Sequence, residues 1–287
     1  MGAPGRTATL LMGVLNITPD SFSDGGRCST PARATAQARR LLAQGADLLD
    51  LGAQSTRPGA TMVGPEEELR RLLPVLAALE PLRAEHPQLR ISVDTFEAAV
   101  AEEALEAGAD WINDVRGANV TPSAPGGSLR DPAMVPLIAR RGCPYVLMHS
   151  RGDSASMDGL ARYGDLLAEV RAELQAATDG ALAAGVQPQQ ILWDPGLGFA
   201  KTTEQNLELL RRLPELAAAG YPLLLGPSRK RFIGAVLEEP RPRARLWGTA
   251  AVCALGVERG AAVVRVHDVG PIRQVVRMAE ALREPPG

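Results

Sequence analysis

One pattern recurs along the chain: a segment rich in Ala, Leu, Arg and Glu, then a glycine, then four to six apolar residues that end in something polar. "AQGADLLDLG" carries it at Gly45, "EAGADWINDV" at Gly108, "RRGCPYVLMH" at Gly142, "AAAGYPLLLG" at Gly220 and "ERGAAVVRVHD" at Gly260. A glycine there reads as the residue just past a helix C-terminus, where a left-handed turn satisfies the last carbonyls. Together with the runs Leu10 to Leu15, Leu89 to Val93 and Ile191 to Trp193, this makes eight short apolar strands separated by helical segments. The runs are continuous rather than alternating, as suits strands buried on both faces of a parallel sheet. Eight βα units in 287 residues predict an α/β fold, a single-domain (β/α)8 TIM barrel over residues 1–287, ahead of an open doubly wound sheet. Within the helical stretch "PEEELRRLLPVLAALEPLRAEH", Pro74 predicts a kink or a break.

No Ser/Gly-rich linker divides the chain, and 45% hydrophobic residues suffice for one large core. Lys+Arg 31 against Asp+Glu 33 gives a net charge of −2, which argues against a broad basic footprint for nucleic acid or an anionic membrane. An anionic ligand must therefore be met locally. No charged leader or long apolar run is present, so the expected location is cytoplasmic. Cys28, Cys143 and Cys253 lack metal-ligand spacing and read as small buried hydrophobes.

In a barrel the C-terminal ends of the strands open on one face, where active sites are built. The residues that follow the apolar runs are Asn16; Asp50, then "STRPG"; Asp94 and Thr95; Asn113 and Asp114; His149; Asp194 in "DPGLGF"; "SRKR" at 228 to 231; and Arg265 with His267. Any one of these could simply cap the next helix. The set as a whole points to a polar site. Lysine occurs only twice among 31 basic residues, as Lys201 and Lys230, and both follow strand ends. Lys230 sits between two arginines in "SRKR", where a compact ammonium suits a single carbonyl or ring nitrogen better than a fork does. "RVHD" places Arg265 and His267 on one side of a strand, two aligned donors suited to a phosphate or pyrophosphate.

The first strand gives way abruptly to "LNITPDSFSDGG", a dense cluster of short oxygen-bearing side chains. With it, "MGVLNITPDSFSDGG" (12 to 26), "DLGAQSTRPGA" (50 to 60), "ISVDT" (91 to 95), "INDV" (112 to 115), "VLMH" (146 to 149), "DPGLGF" (194 to 199), "GPSRKRFIG" (226 to 234) and "RVHDV" (265 to 269) resemble, in order, the dihydropteroate synthase family. The resemblance implies condensation of 6-hydroxymethyl-7,8-dihydropterin pyrophosphate with p-aminobenzoate in folate synthesis, with Mg2+ as cofactor, a homodimer as the working form, and sulfonamides acting as p-aminobenzoate mimics. It also implies roles. Asp194 accepts two parallel bonds from the pterin's amino edge, Asp94 and Asn113 meet the other ring edge, and Lys230 donates to the ring carbonyl and nitrogen. Met148 and Phe199 pack the flat ring, Asn16 ligates Mg2+, and Ser228 belongs to the substrate site. Thr56, Arg57, Arg265 and His267 hold the pyrophosphate and the mouth of the site. Asp24 lies on a closing loop that faces the positive charge developing on the pterin methylene.

The chain departs from that family's usual pattern at Gln54, where Glu is common, at Ser150 after His149, and at Arg231, which could alter contacts to the p-aminobenzoate carboxylate. Two alternatives accompany this reading. A methyltetrahydrofolate-dependent corrinoid methyltransferase shares the pterin pocket but needs no pyrophosphate cluster. A non-catalytic paralogue would bind pterin without condensing it. The Pro/Gly/Ser segment 117 to 131 reads as a surface loop.

Overall fold

Each glycine that follows a helical segment does what its position predicts. Gly45, Gly108, Gly142, Gly220 and Gly260 have φ of +95°, +99°, +68°, +90° and +101°, and at each of them the chain leaves a helix and enters a strand. The computed structural model describes residues 8–18, 30–54, 62–119 and 128–282. Its order is β1 (Leu10–Asn16), α1 (Pro31–Ala43), β2 (Leu48–Gly52), α2 (Pro65–Glu85), β3 (Arg90–Asp94), α3 (Ala98–Glu106), β4 (Trp111–Asp114), α4 (Met134–Arg141), β5 (Tyr145–Met148), α5 (Leu166–Ala183), β6 (Ile191–Asp194), α6 (Thr203–Arg211), α7 (Leu213–Ala217), β7 (Leu223–Leu225), α8 (Arg231–Val236), α9 (Leu246–Glu258), β8 (Ala261–Val266) and α10 (Val269–Leu282). All the strands pair in parallel with their sequence neighbours, and β8 closes on β1. The result is the expected (β/α)8 barrel.

The strands feed two separate cores. Outward-facing residues such as Leu11, Leu49, Leu51, Ile91 and Leu147 pack against the helices. Inward-facing Met12, Leu48, Val146, Leu192, Leu224 and Val263 fill the barrel as an apolar plug. Because side chains repeat every second residue, the next inward residue on several of these strands is a site residue: Leu48 leads to Asp50, Val146 to Met148, Leu192 to Asp194 and Val263 to Arg265. The barrel interior is therefore apolar below and polar above.

Helix α2 corrects one expectation, since it continues without interruption past Pro74 and Pro81. Each proline removes one backbone bond, but the buried face of Leu72, Val75, Leu76, Leu79 and Leu82 packs along the barrel and holds the helix together. Cys143 and Cys253 are buried, unbridged thiols, pushed up by burial to about 11 and about 12, which agrees with an inert packing role. Cys28 lies outside the described residues. No helix among the described residues is long and apolar enough to cross a membrane.

Candidate active site

Strand register brings the polar residues together. Asn16 pairs with Gly52, Gly52 with Asp94, and Asp94 with Asn113, so one rung crosses four strands at the C-terminal rim. Gly52 has no side chain to separate the two groups beside it. A Cβ placed there would lie 3.5 Å from Asn16 Oδ1 and 3.9 Å from Asp94 Oδ2. One layer deeper, Val14 pairs with Asp50 and Asp50 with Ser92. On the far side of the mouth, Met148 pairs with Asp194.

Arg265 ties these layers together. Its Nε donates to Asp50 Oδ2 at 2.6 Å and its Nη2 to Asp94 Oδ2 at 2.8 Å. Asp50 is fully buried and also accepts from Asn113 Nδ2 at 3.4 Å. Two of the guanidinium nitrogens donate to carboxylates. Arg265 is thus a central cation that organises the pocket floor. Burial pushes the Asp94 carboxyl up. Arg265 opposes that rise, Asp50 adds to it, and Lys230 also opposes it. His267 turns toward Ser228, with its ring Nδ1 2.9 Å and its backbone N–H 3.1 Å from Ser228 Oγ.

Asp194 is buried at the end of β6, and its Oδ1 accepts the Gly196 N–H at 2.7 Å. Burial raises its pKa, against the pull of the Gly196 N–H and of Lys230, Arg265 and Lys201. Phe96, Val115 and Met148 form an apolar cluster distinct from both cores, with Phe199 packed against it. The Lys230 ammonium stands 4.2 Å from the centre of the Phe199 ring. The backbone around Lys230 is firmly held. Arg229, in the left-handed region at φ 60°, makes a bidentate pair with Asp268 at 2.9 and 2.7 Å, and Arg245 Nη1 donates to the carbonyls of Arg229 and Lys230.

The structure therefore gathers Asn16, Asp94, Asn113, Met148, Asp194, Phe199, Ser228, Lys230, Arg265 and His267 at one mouth. Asp24, Thr56 and Arg57 lie outside the described residues. Arg231 does not enter the pocket but pairs with Asp158, both being exposed. Gln54 is nearly buried, donates to Glu68 Oε2 at 3.1 Å and accepts the Val63 N–H at 3.3 Å. Burial pushes the Glu68 carboxyl up to about 7. Ser150 donates to the Val115 carbonyl at 2.8 Å, which steadies the wall below the apolar cluster. Of segment 117 to 131, Asp131 accepts the Ala98 N–H at 2.7 Å and Ser128 donates to the Asn119 carbonyl at 2.6 Å.

A second buried network lies behind the Asp194 loop and was not resolved from sequence beyond noting His149 and Lys201 at strand ends. Lys201 Nζ stands 2.9 Å from His149 Nδ1, and His149 Nε2 stands 3.0 Å from Glu173 Oε2. Burial, reinforced by the Lys201 charge, pulls His149 down to about 4, so the ring is neutral. Burial opposes the ionised Glu173, but His149 and Arg151 draw its carboxyl down to about 2. Burial also lowers Lys201 to about 7, against the pull of Asp194 and Glu173.

The described residues contain no group of three or more His, Cys, Asp or Glu that could hold a metal ion. Asn16 offers a neutral amide oxygen at a fixed strand end, across Gly52 from the Asp94 carboxylate. That donor set fits a hard divalent cation that keeps waters and leans on substrate phosphates.

Comparison with known proteins gives the same picture. The model of the family described as "Pterin binding enzyme" matches residues 12–267. A dihydropteroate synthase of Synechocystis sp. is 47% identical over 274 residues, covering 96% of this chain and 90% of its own. The dihydropteroate synthase of Thermus thermophilus, solved in complex with 4-aminobenzoate, is 44% identical with a TM-score of 0.81, over 96% of this chain and 95% of that one. The same enzyme solved with 6HMPPP is 43% identical with a TM-score of 0.79, over 96% and 94% of the two chains. With a family match across the barrel and relatives aligned over nearly the whole of both chains, the chain belongs to the pterin-binding enzymes, in the dihydropteroate synthase family.

Proposed function

We infer that this chain condenses 6-hydroxymethyl-7,8-dihydropterin pyrophosphate with p-aminobenzoate to give 7,8-dihydropteroate and pyrophosphate. The observation that carries this reading is the slot itself: a flat apolar cluster of Phe96, Val115, Met148 and Phe199, edged by buried Asp194 on one side and by the Asp94 and Asn113 rung on the other. A flat heterocycle with adjacent N–H donors matches such a slot, since a carboxylate can accept two parallel bonds from them. The methyltransferase alternative has less support, because the near full-length relatives carry the synthase name.

Within this reading Asp194 accepts the pterin's amino and ring N–H, Asp94 and Asn113 meet the opposite edge, and Lys230 donates to the ring carbonyl and nitrogen. Arg265 keeps Asp94 aimed into the pocket. His267 and Ser228 border the phosphate end, with Thr56, Arg57 and Arg265 assigned there from the family motif. The C–O bond to pyrophosphate loosens first and its electron pair leaves with the pyrophosphate; the arylamine nitrogen then forms the N–C bond to the cation-like methylene and gives up its proton to solvent or to the departing pyrophosphate. Asp24 faces the cationic methylene during that step. Mg2+, held by Asn16 and the substrate's phosphates, would neutralise the leaving charge when bound. Sulfonamides would compete at the p-aminobenzoate position.

We also propose a homodimer and a cytoplasmic location. Trp247 is 77% exposed, and Val236, Leu237, Leu255 and Met278 on neighbouring helices are exposed as well, a concentration of apolar surface suited to a second copy. The deciding experiment incubates the protein with Mg2+, pterin pyrophosphate and labelled p-aminobenzoate. Labelled dihydropteroate that disappears when the pyrophosphate group is omitted supports the synthase. No product from folded protein that binds pterin supports the non-catalytic alternative.

A further inference from the structure

Behind Asp194 the chain makes an unusual turn. Gly196, Gly198 and Ala200 all lie in the left-handed region, with φ of 69°, 78° and 47°. For Ala200 that backbone carries a cost of roughly 1–2 kcal/mol, which the surrounding structure must offset. A side chain at Gly196 is excluded as well, because a Cβ there would sit 1.9 Å from the His149 carbonyl oxygen. The loop does not adopt this path by propensity; it is held there.

Lys201 is the residue that holds it. Its buried ammonium has three hydrogens and three acceptors: His149 Nδ1 at 2.9 Å, the Gly196 carbonyl at 3.2 Å and the Phe199 carbonyl at 3.0 Å. His149 is anchored in turn. Its backbone N–H donates to the Asp194 carbonyl at 2.8 Å, and its ring faces Glu173. With Nε2 carrying the proton toward Glu173, Nδ1 presents its lone pair to Lys201. Tyr163 Oη donates to the Ala200 carbonyl at 2.9 Å, and Asn206 accepts the Gly198 N–H at 2.7 Å. These grips fall on residues 196 to 200, the stretch that follows the buried carboxylate Asp194 and carries the ring of Phe199.

We propose that Lys201 is a positioning residue for pterin recognition: anchored on His149, it fixes the Gly196 and Phe199 carbonyls and thereby sets where Asp194 and Phe199 stand. The assignment rests on the reading that these two residues meet the pterin. Lys201 itself does not touch substrate. A lysine serving only to fill the interior would change stability when replaced and leave the two substrates' constants in their original ratio.

The test compares wild type with Lys201→Met, which keeps the length and removes the three donors. The measurements are the Kd and KM for pterin pyrophosphate, the KM for p-aminobenzoate, kcat, and hydrogen exchange in peptides covering 195 to 202. The variant is expected to raise the pterin Kd and KM about ten-fold or more, to hold kcat within about three-fold, and to leave the p-aminobenzoate KM unchanged. Exchange should quicken in 195 to 202 and stay at the wild-type rate in α5. A folded variant with wild-type pterin constants, or one whose only kinetic loss is in kcat, overturns the proposal. If Lys201→Met does not fold, Tyr163→Phe removes a single tie to Ala200 and should raise the pterin KM about two- to five-fold; an unchanged KM there overturns the proposal too. Wild-type protein that does not bind pterin pyrophosphate would instead overturn the substrate reading, which separates the two failures.

Discussion

Arg265 Nε and Asp50 Oδ2 meet at 2.6 Å inside the barrel, although 215 positions separate them in the chain. Asp50 is fully buried, and the same guanidinium reaches Asp94 with its other arm. The pocket floor is therefore one cation shared by two carboxylates. Breaking such a buried group by removing one partner costs more than the group itself contributes, because an uncompensated charge remains. Arg265→Lys keeps the charge but loses the fork, so one carboxylate loses its direct partner. The expected result is a loss of roughly 2–4 kcal/mol in unfolding free energy, read from urea melts, together with a rise in pterin Kd.

Burial pushes Glu68 from the usual 4.5 up to about 7. A carboxyl raised in the folded state binds its proton more tightly there than in the unfolded chain. Its stabilising contribution is complete below about pH 4.5 and is lost as the pH rises through about 7. Glu68→Gln should match wild type near pH 4.5 and exceed it by about 2–3 kcal/mol at pH 8, measured by urea unfolding at the two values.

Gln54 donates to that same carboxyl. Gln54→Glu, which restores the residue common in the family, would set two buried carboxyls against each other with room for one shared proton. Stability near pH 5 should stay close to wild type, and at pH 8 it should fall by about 1–3 kcal/mol. Thermal melts across that range would show a steeper decline in the variant.

Burial raises the pKa of Asp194. A pterin edge that donates to the carboxylate favours its ionised form and draws the pKa back down. Binding should therefore release protons at the acid pH where Asp194 titrates, and affinity should strengthen as pH rises until Asp194 is ionised in both states. Calorimetry in buffers of different ionisation enthalpy, stepped upward from acid pH, should give a buffer-dependent heat that shrinks once Asp194 is ionised in both states. No dependence anywhere on the acid side would remove Asp194 from the pterin edge.

Asp24 is assigned to the developing cation, and Asp24→Asn keeps its shape without its charge. The expected outcome is a fall in kcat of about 10²-fold or more, with pterin Kd changed by less than about three-fold. An unchanged kcat would remove Asp24 from the reaction.

The fold was legible because glycine and apolar runs are local signals, and each of the eight runs became a strand. The rim residues were legible for the same reason, since they follow those runs directly. What escaped the sequence depends on partners far along the chain. Nothing in "RVHD" announces that the Arg265 guanidinium reaches Asp50 on β2 and Asp94 on β3. Lys201 was conspicuous by rarity, but its task became visible only with His149 and Glu173 beside it. Pro74 read as a kink or a break, and the uninterrupted run of α2 past it depends on a packed face that propensity knows nothing of.

The alternation of plug and site residues along the strands ties two properties that are often thought separable. Leu48 and Asp50, Leu192 and Asp194, and Val263 and Arg265 are spaced so that a single rotation of the strand fixes both members of each pair. A one-residue slip would send the aliphatic residue and the charged residue out of the barrel together. Misaligned strands thus forfeit packing and chemistry at once, and a barrel that has closed correctly has by that same event placed its recognition groups.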